Sequence, residues 1–125
     1  MNDHALQRLV RSFNQRHFDK AVGHAADGLA TAQGRDEAFW MGLHDACEGY
    51  AQIAAGQIDR AEAKLTQSMQ KLRNFGFRYE NFEVTAALAG IRRAVEEIRA
   101  VRGSGKRKFD VSLLPQLKLA AKADD

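Results

Sequence analysis

The sequence carries a single cysteine, a single proline and no apolar run long enough to cross a bilayer. With Cys47 alone no internal disulfide can form, which excludes a disulfide-stapled scaffold and suits a reducing compartment. One proline, Pro115, and few clustered β-branched residues point to helix rather than sheet. A membrane is not an expected partner, because no stretch approaches the roughly 20 apolar residues a spanning helix needs. The opening Met1-Asn2-Asp3-His4-Ala5 lacks the basic-then-apolar order of a secretory signal, so the expected location is the cytoplasm. Ser12, Ser68, Ser104 and Ser112 have no nucleophile-elbow context, and no glycine-rich phosphate loop follows a strand.

What is present is an ordinary globular composition, 45% hydrophobic and 28% charged over 125 residues, enough for one domain with a real core. The net charge of +3 is unevenly placed. Residues 1–90 hold ten Lys/Arg against eleven Asp/Glu, and residues 91–125 hold nine against five. Arg99, Arg102, Lys106, Arg107 and Lys108 crowd around Gly103-Ser104-Gly105, the composition of a solvated linker. Nucleic acid is therefore not the expected partner.

The chain also repeats itself. Phe13-Asn14-Gln15-Arg16-His17-Phe18-Asp19-Lys20-Ala21 is echoed by Ala55-Gly56-Gln57-Ile58-Asp59-Arg60-Ala61. In each copy a helical run gives way to a short turn, and a bulky residue (Phe18, Ile58) precedes an alanine by three. Large and small residues at helical spacing let antiparallel helices approach closely. Periodicity predicts helices over about 3–14 (Leu6, Leu9, Val10, Phe13), 17–31 (Phe18, Ala21, Val22, Ala25, Leu29), 36–54 (Trp40, Leu43, Cys47, Tyr50) and 59–75 (Leu65, Met69, Leu72). The third has the widest apolar face and is expected at the centre. A fifth helix, about 79–101 with Phe82, Leu88, Ile91, Val95 and Ile98 on one side, would reach about 34 Å and lie across both pairs.

Phe13-Asn14, Phe18-Asp19-Lys20-Ala21, Trp40-Met41-Gly42-Leu43, Gly56-Gln57 and the run from Ala61 to Leu65 together resemble the prokaryotic family catalogued as domain of unknown function 309. The likeness covers about residues 10–75 and implies a small all-helical protein. Family members are sometimes labelled metal-dependent hydrolases on the strength of histidine and glutamate motifs. Here the places of the first motif hold Val22, Gly23, Ala26 and Leu29, and the second family histidine falls on Gln52, so that label is not carried over.

A different constellation remains as the alternative. His44 and Glu48 stand at i and i+4 on the third helix, and His24 on the second helix is a candidate third ligand. Two imidazoles and a carboxylate suit a divalent metal such as zinc, with one position open for water. A half-exposed hydrogen-bonded pair is the plainer expectation for His44 and Glu48. His4 and His17 are expected to face solvent, and Cys47 to be a buried structural thiol. Phe75-Gly76-Phe77-Arg78-Tyr79 is expected to seal the end of the bundle rather than stack on bases.

The expected fold is thus all-α, two antiparallel helical hairpins of tetratricopeptide-like pattern closed by a long fifth helix, with an apolar C-terminal tail. Residues 1–102 form the helical domain, 103–108 a flexible basic linker and 109–125 the tail. Because each exposed Leu or Phe forgoes roughly 1.5–3 kcal/mol of burial, Phe109, Val111, Leu113, Leu114 and Leu117 are expected to dock, in cis or on a second copy of the chain. The expected function is a non-catalytic interaction module needing no cofactor, its partner a protein, a peptide or a second protomer; the alternative is a metal-dependent hydrolase.

Overall fold

The computed structural model describes residues 1–105 and 108–121. Five helices carry nearly all of its regular structure: α1 (Asp3–Asn14), α2 (Phe18–Thr31), α3 (Arg35–Ala54), α4 (Ile58–Leu72) and α5 (Val84–Ser104). Each helix packs on the next in the chain, so α3 is in contact with both α2 and α4. That position explains why its Trp40, Leu43, Cys47 and Tyr50 are each almost wholly buried.

The sequence repeat is a repeated turn. At the end of α1, Arg16 N–H donates to Phe13 O (2.9 Å) and His17 N–H to Ser12 O (2.8 Å). At the end of α3, Gly56 N–H donates to Ile53 O (3.0 Å) and Gln57 N–H to Gln52 O (2.8 Å). This crossed pair satisfies the last carbonyls of a helix when one residue turns left-handed. Gly56 takes that position at φ 79°, and Arg16 takes it in the first copy at φ 66°. After each turn the bulky residue opens the next helix, and Ala21 and Ala61, both fully buried, let the paired helices meet.

Between α4 and α5 the chain departs from the helical expectation. α4 stops at Leu72 and a 3-10 turn covers Arg73–Phe75. A small antiparallel ladder follows, β1 (Arg78–Tyr79) against β2 (Phe82–Glu83), with Arg78 opposite Glu83 and Tyr79 opposite Phe82. Phe77, Tyr79, Phe82 and Val84 favour extended backbone, and Glu80 at φ 51° starts a two-residue reversal. Phe82 is fully buried as expected, but from a strand rather than from a helix face. Phe39 gathers the rings of Phe75 (5.5 Å), Tyr79 (4.7 Å) and Phe82 (5.5 Å), and Arg35 lies over Phe75 at 4.8 Å. The bundle end is sealed by these rings, while Phe77 stays 84% exposed.

α5 begins at Val84, later than expected, and runs through Gly103 and Ser104 before Gly105 (φ 67°) ends it. Near this end Arg99 Nε meets Glu62 Oε2 at 2.9 Å, and Arg102 pairs with Glu62 and Asp59 of α4. Arg99 and Arg102 of the clustered basic residues are therefore engaged with acidic side chains. Lys106 and Arg107, the core of the expected linker, lie outside the described residues.

Candidate functional site

The chain returns from Lys108 to Ala121 along the helices as an extended segment with one 3-10 turn, Val111–Leu113. It is seated by side chains aimed at its backbone. Asn14, the last residue of α1, donates from Nδ2 to Leu117 O (3.0 Å) and accepts Leu117 N–H on Oδ1 (2.8 Å). One amide side chain thus reproduces both hydrogen bonds that a neighbouring strand would offer. Arg16 donates from Nη1 to Pro115 O (2.6 Å) and from Nη2 to Leu114 O (2.8 Å). Its guanidinium fork fits two successive carbonyls.

The far end adds a strand-like pairing. Glu83 N–H donates to Lys118 O (3.0 Å), Ala120 N–H to Asn81 O (2.7 Å), and Phe82 bridges Leu119 antiparallel. At the near end Asp110 N–H donates to Glu97 Oε2 (3.0 Å), and Asp110 Oδ1 accepts from Ser112 N–H and Oγ, holding the 3-10 turn. Side chains fill pockets between these anchors. Leu114 and Leu117 are 7% and 8% exposed, and Phe109 and Leu119 pack half-buried on the core. Pro115 fits against α5 only because position 90 is glycine, since a Cβ there would stand 2.7 Å from the proline ring.

Of the five tail residues expected to dock, Leu114 and Leu117 are buried, Phe109 and Leu113 are half-buried and Val111 is 63% exposed. The Val111–Leu113 turn aims Val111 at solvent, which alternation alone does not reveal. Sequence reasoning missed Asn14, Arg16, Gly90 and Glu97, the residues that receive the segment. One signal was available for Arg16, which stands where the repeat has Gly56. A non-glycine residue held left-handed costs about 1 kcal/mol. The side chain that keeps this conformation is the one that grips the tail.

The other candidates fall elsewhere. His44 Nδ1 and Glu48 Oε1 lie 2.7 Å apart on the half-exposed face of α3, and Lys64 of α4 approaches Glu48 at 3.8 Å and Asp45 at 3.9 Å. Lys71 pairs with Asp45, so these side chains form a polar seam between α3 and α4. Among the described residues no group of three or more His, Cys, Asp or Glu side chains comes together to hold a metal ion, and His24 is not brought to His44 and Glu48. Burial pushes the Cys47 thiol up to about 12, which leaves almost no thiolate at neutral pH. His4 and His17 are exposed.

Beneath the tail lies Tyr50, its ring edge-on to Phe13 at 5.0 Å and stacked on Phe18 at 6.2 Å. Burial raises its phenol well above the ordinary range, and its hydroxyl has no hydrogen-bond partner. Among the described residues no helix is long and apolar enough to cross a membrane. No family model, no curated protein and no solved structure matches the chain.

Proposed function

We propose that this protein is a non-catalytic helical interaction module, working in the cytoplasm, whose groove binds an extended peptide. Its α1–α2 and α3–α4 pairs act as two tetratricopeptide-like hairpins, α5 closes them, and the ordered likeness to the domain of unknown function 309 family belongs to the same reading. The C-terminal segment occupies the groove in cis. A partner segment, or the tail of a second copy, occupies it in trans.

The observation that carries this reading is the way Asn14, Arg16 and Asn81 address the backbone of residues 114–120 rather than its side chains. Backbone-directed hydrogen bonds with pockets for alternate apolar side chains are how extended peptides are generally recognised. The same contacts serve a cis or a trans occupant, so exchange between them is set by effective concentration. A hydrolase built on His24, His44 and Glu48 has less support, because only the His44–Glu48 pair is assembled.

The test is a synthetic peptide of residues 108–121 added to the full chain. Saturable binding, with loss of cis protection at the Leu117 and Ala120 amides, is expected. Absence of binding at millimolar peptide, with cis protection unchanged, contradicts the proposal.

A further inference from the structure

The groove contains a hydrogen-bond donor that its present occupant does not use. Tyr50 is 1% exposed and its hydroxyl is buried without a partner, a state that folded proteins generally avoid. The surroundings of that hydroxyl are specific. A Cβ built on Gly90 would meet Pro115 Cβ and Cγ at 2.7 Å and Tyr50 Oη at 3.7 Å, so proline ring and phenol oxygen lie against the same bare patch of α5. Arg16 sits over this spot through its bonds to Leu114 O and Pro115 O, and its positive charge is felt by Tyr50. Exposed Arg93 lines the rim where α5 faces residues 112–118, and among the described residues it has no carboxylate partner.

A proline ring offers this place neither an acceptor nor a charge. A carboxylate there would accept from Tyr50 Oη while standing near the cations of Arg16 and Arg93. Position 115 is half-buried, so such a carboxylate keeps part of its hydration and avoids the full penalty of charge burial. The native tail therefore satisfies the backbone-reading groups and the leucine pockets, but brings no acceptor to the Tyr50 hydroxyl.

Resting on the peptide-groove reading, we propose that the trans partner is an extended acidic peptide, with leucines in the registers of Leu114 and Leu117 and an aspartate or glutamate in the register of Pro115. The chain's own tail is then a placeholder that a segment with the acid displaces. Selectivity comes from Tyr50 and Arg16 together, one supplying a directed donor and the other the charge.

The experiment uses three labelled peptides spanning residues 108–121, the native sequence, Pro115→Ala and Pro115→Asp, titrated against the full chain and against its Tyr50→Phe variant. Tyr50→Phe removes only the unpartnered oxygen, and unchanged binding of the native peptide verifies that the groove is intact. The Asp peptide is expected to bind about tenfold tighter than the Ala peptide, and that gap is expected to narrow in Tyr50→Phe to what the Arg16 charge alone supplies. Equal binding, weaker binding of the Asp peptide, or a gap undiminished by Tyr50→Phe overturns the acidic corner while leaving the groove reading in place if the native peptide binds. If none of the three binds, both fall. Should Tyr50→Phe fail to fold, Pro115→Asp and Pro115→Ala in the full chain carry the same question, with slower tail exchange expected in the former and the reverse order overturning the proposal.

Discussion

Arg16 concentrates the account into one residue. It stands left-handed where the second copy of the turn has glycine, and its side chain holds two tail carbonyls. Arg16→Gly should relieve about 1 kcal/mol of backbone strain and release the tail at the same time. Global stability is thus expected to stay within about 1 kcal/mol of the parent, while trypsin cuts faster after Lys118. Unchanged cleavage would contradict the role given to the side chain. Asn14→Ala leaves a buried peptide group of Leu117 without partners and is expected to cost about 1–3 kcal/mol, measured by urea unfolding. The two tyrosines offer a separate check. The hydrogen bond that Tyr79 donates to Asp36 raises its phenol to about 12, so the stability it contributes is complete below its ordinary value of 10.0 and is lost as pH rises through about 12. In an alkaline titration of native protein, phenolate absorbance is expected near 12 from Tyr79, with Tyr50 silent until the chain unfolds; ionisation of either near 10 contradicts this.

At the scale of elements, the first three helices were legible because Leu6, Leu9 and Phe13, then Phe18, Ala21 and Ala25, then Trp40, Leu43 and Tyr50 repeat at helical spacing and face a core. α4 and α5 were legible in their middles but not at the end where they meet. Phe82 fits the helical stripe of Leu88 and Ile91 by spacing, and the competing preference of Phe77, Tyr79 and Val84 for extended backbone prevailed over it. Gly103 and Ser104 read as linker, yet they finish the last turn of α5, where Ser104 Oγ donates to Val101 O at 3.1 Å. Two helical glycines separate local propensity from packing. Gly23 has open space around its missing Cβ, so Gly23→Ala is expected to stabilise the protein by about 1 kcal/mol. Gly90→Ala gains the same propensity but drives a methyl into Pro115, so the tail should exchange faster while the body holds. Arg102 and then Arg99 hold the Glu62 carboxyl below its ordinary value of 4.5, so the contribution of this α4–α5 tie is present above that value and lost as pH falls through the lower folded one. The stability difference between parent and Glu62→Gln is expected at neutral pH, to shrink in acid and with added salt; a difference indifferent to both would remove the tie.

For the whole molecule, a doubled turn sets the path of the chain, and a returning segment covers the groove its helices leave. The repeat announced the first of these, and the apolar residues of the tail announced that it must dock. Its receptor could not be read in the same way. Asn14, Arg16, Gly90 and Glu97 are scattered over α1, α5 and one turn, and no local pattern links residues that meet only through the fold. Nor does any pattern mark Val111 as a large apolar tail residue turned to solvent, because that follows from the 3-10 turn fixed by Asp110 and Ser112. Backbone recognition by side chains has no spacing rule of its own.

The most direct measurement is native-state hydrogen exchange resolved to single amides in the full chain. Leu117 N–H, held by Asn14, and Ala120 N–H, held by Asn81, are expected to exchange far more slowly than in the free peptide, and to open together without unfolding the helices. If both exchange at free-peptide rates while the amides of α3 remain protected, the groove does not hold its tail and the central claim fails.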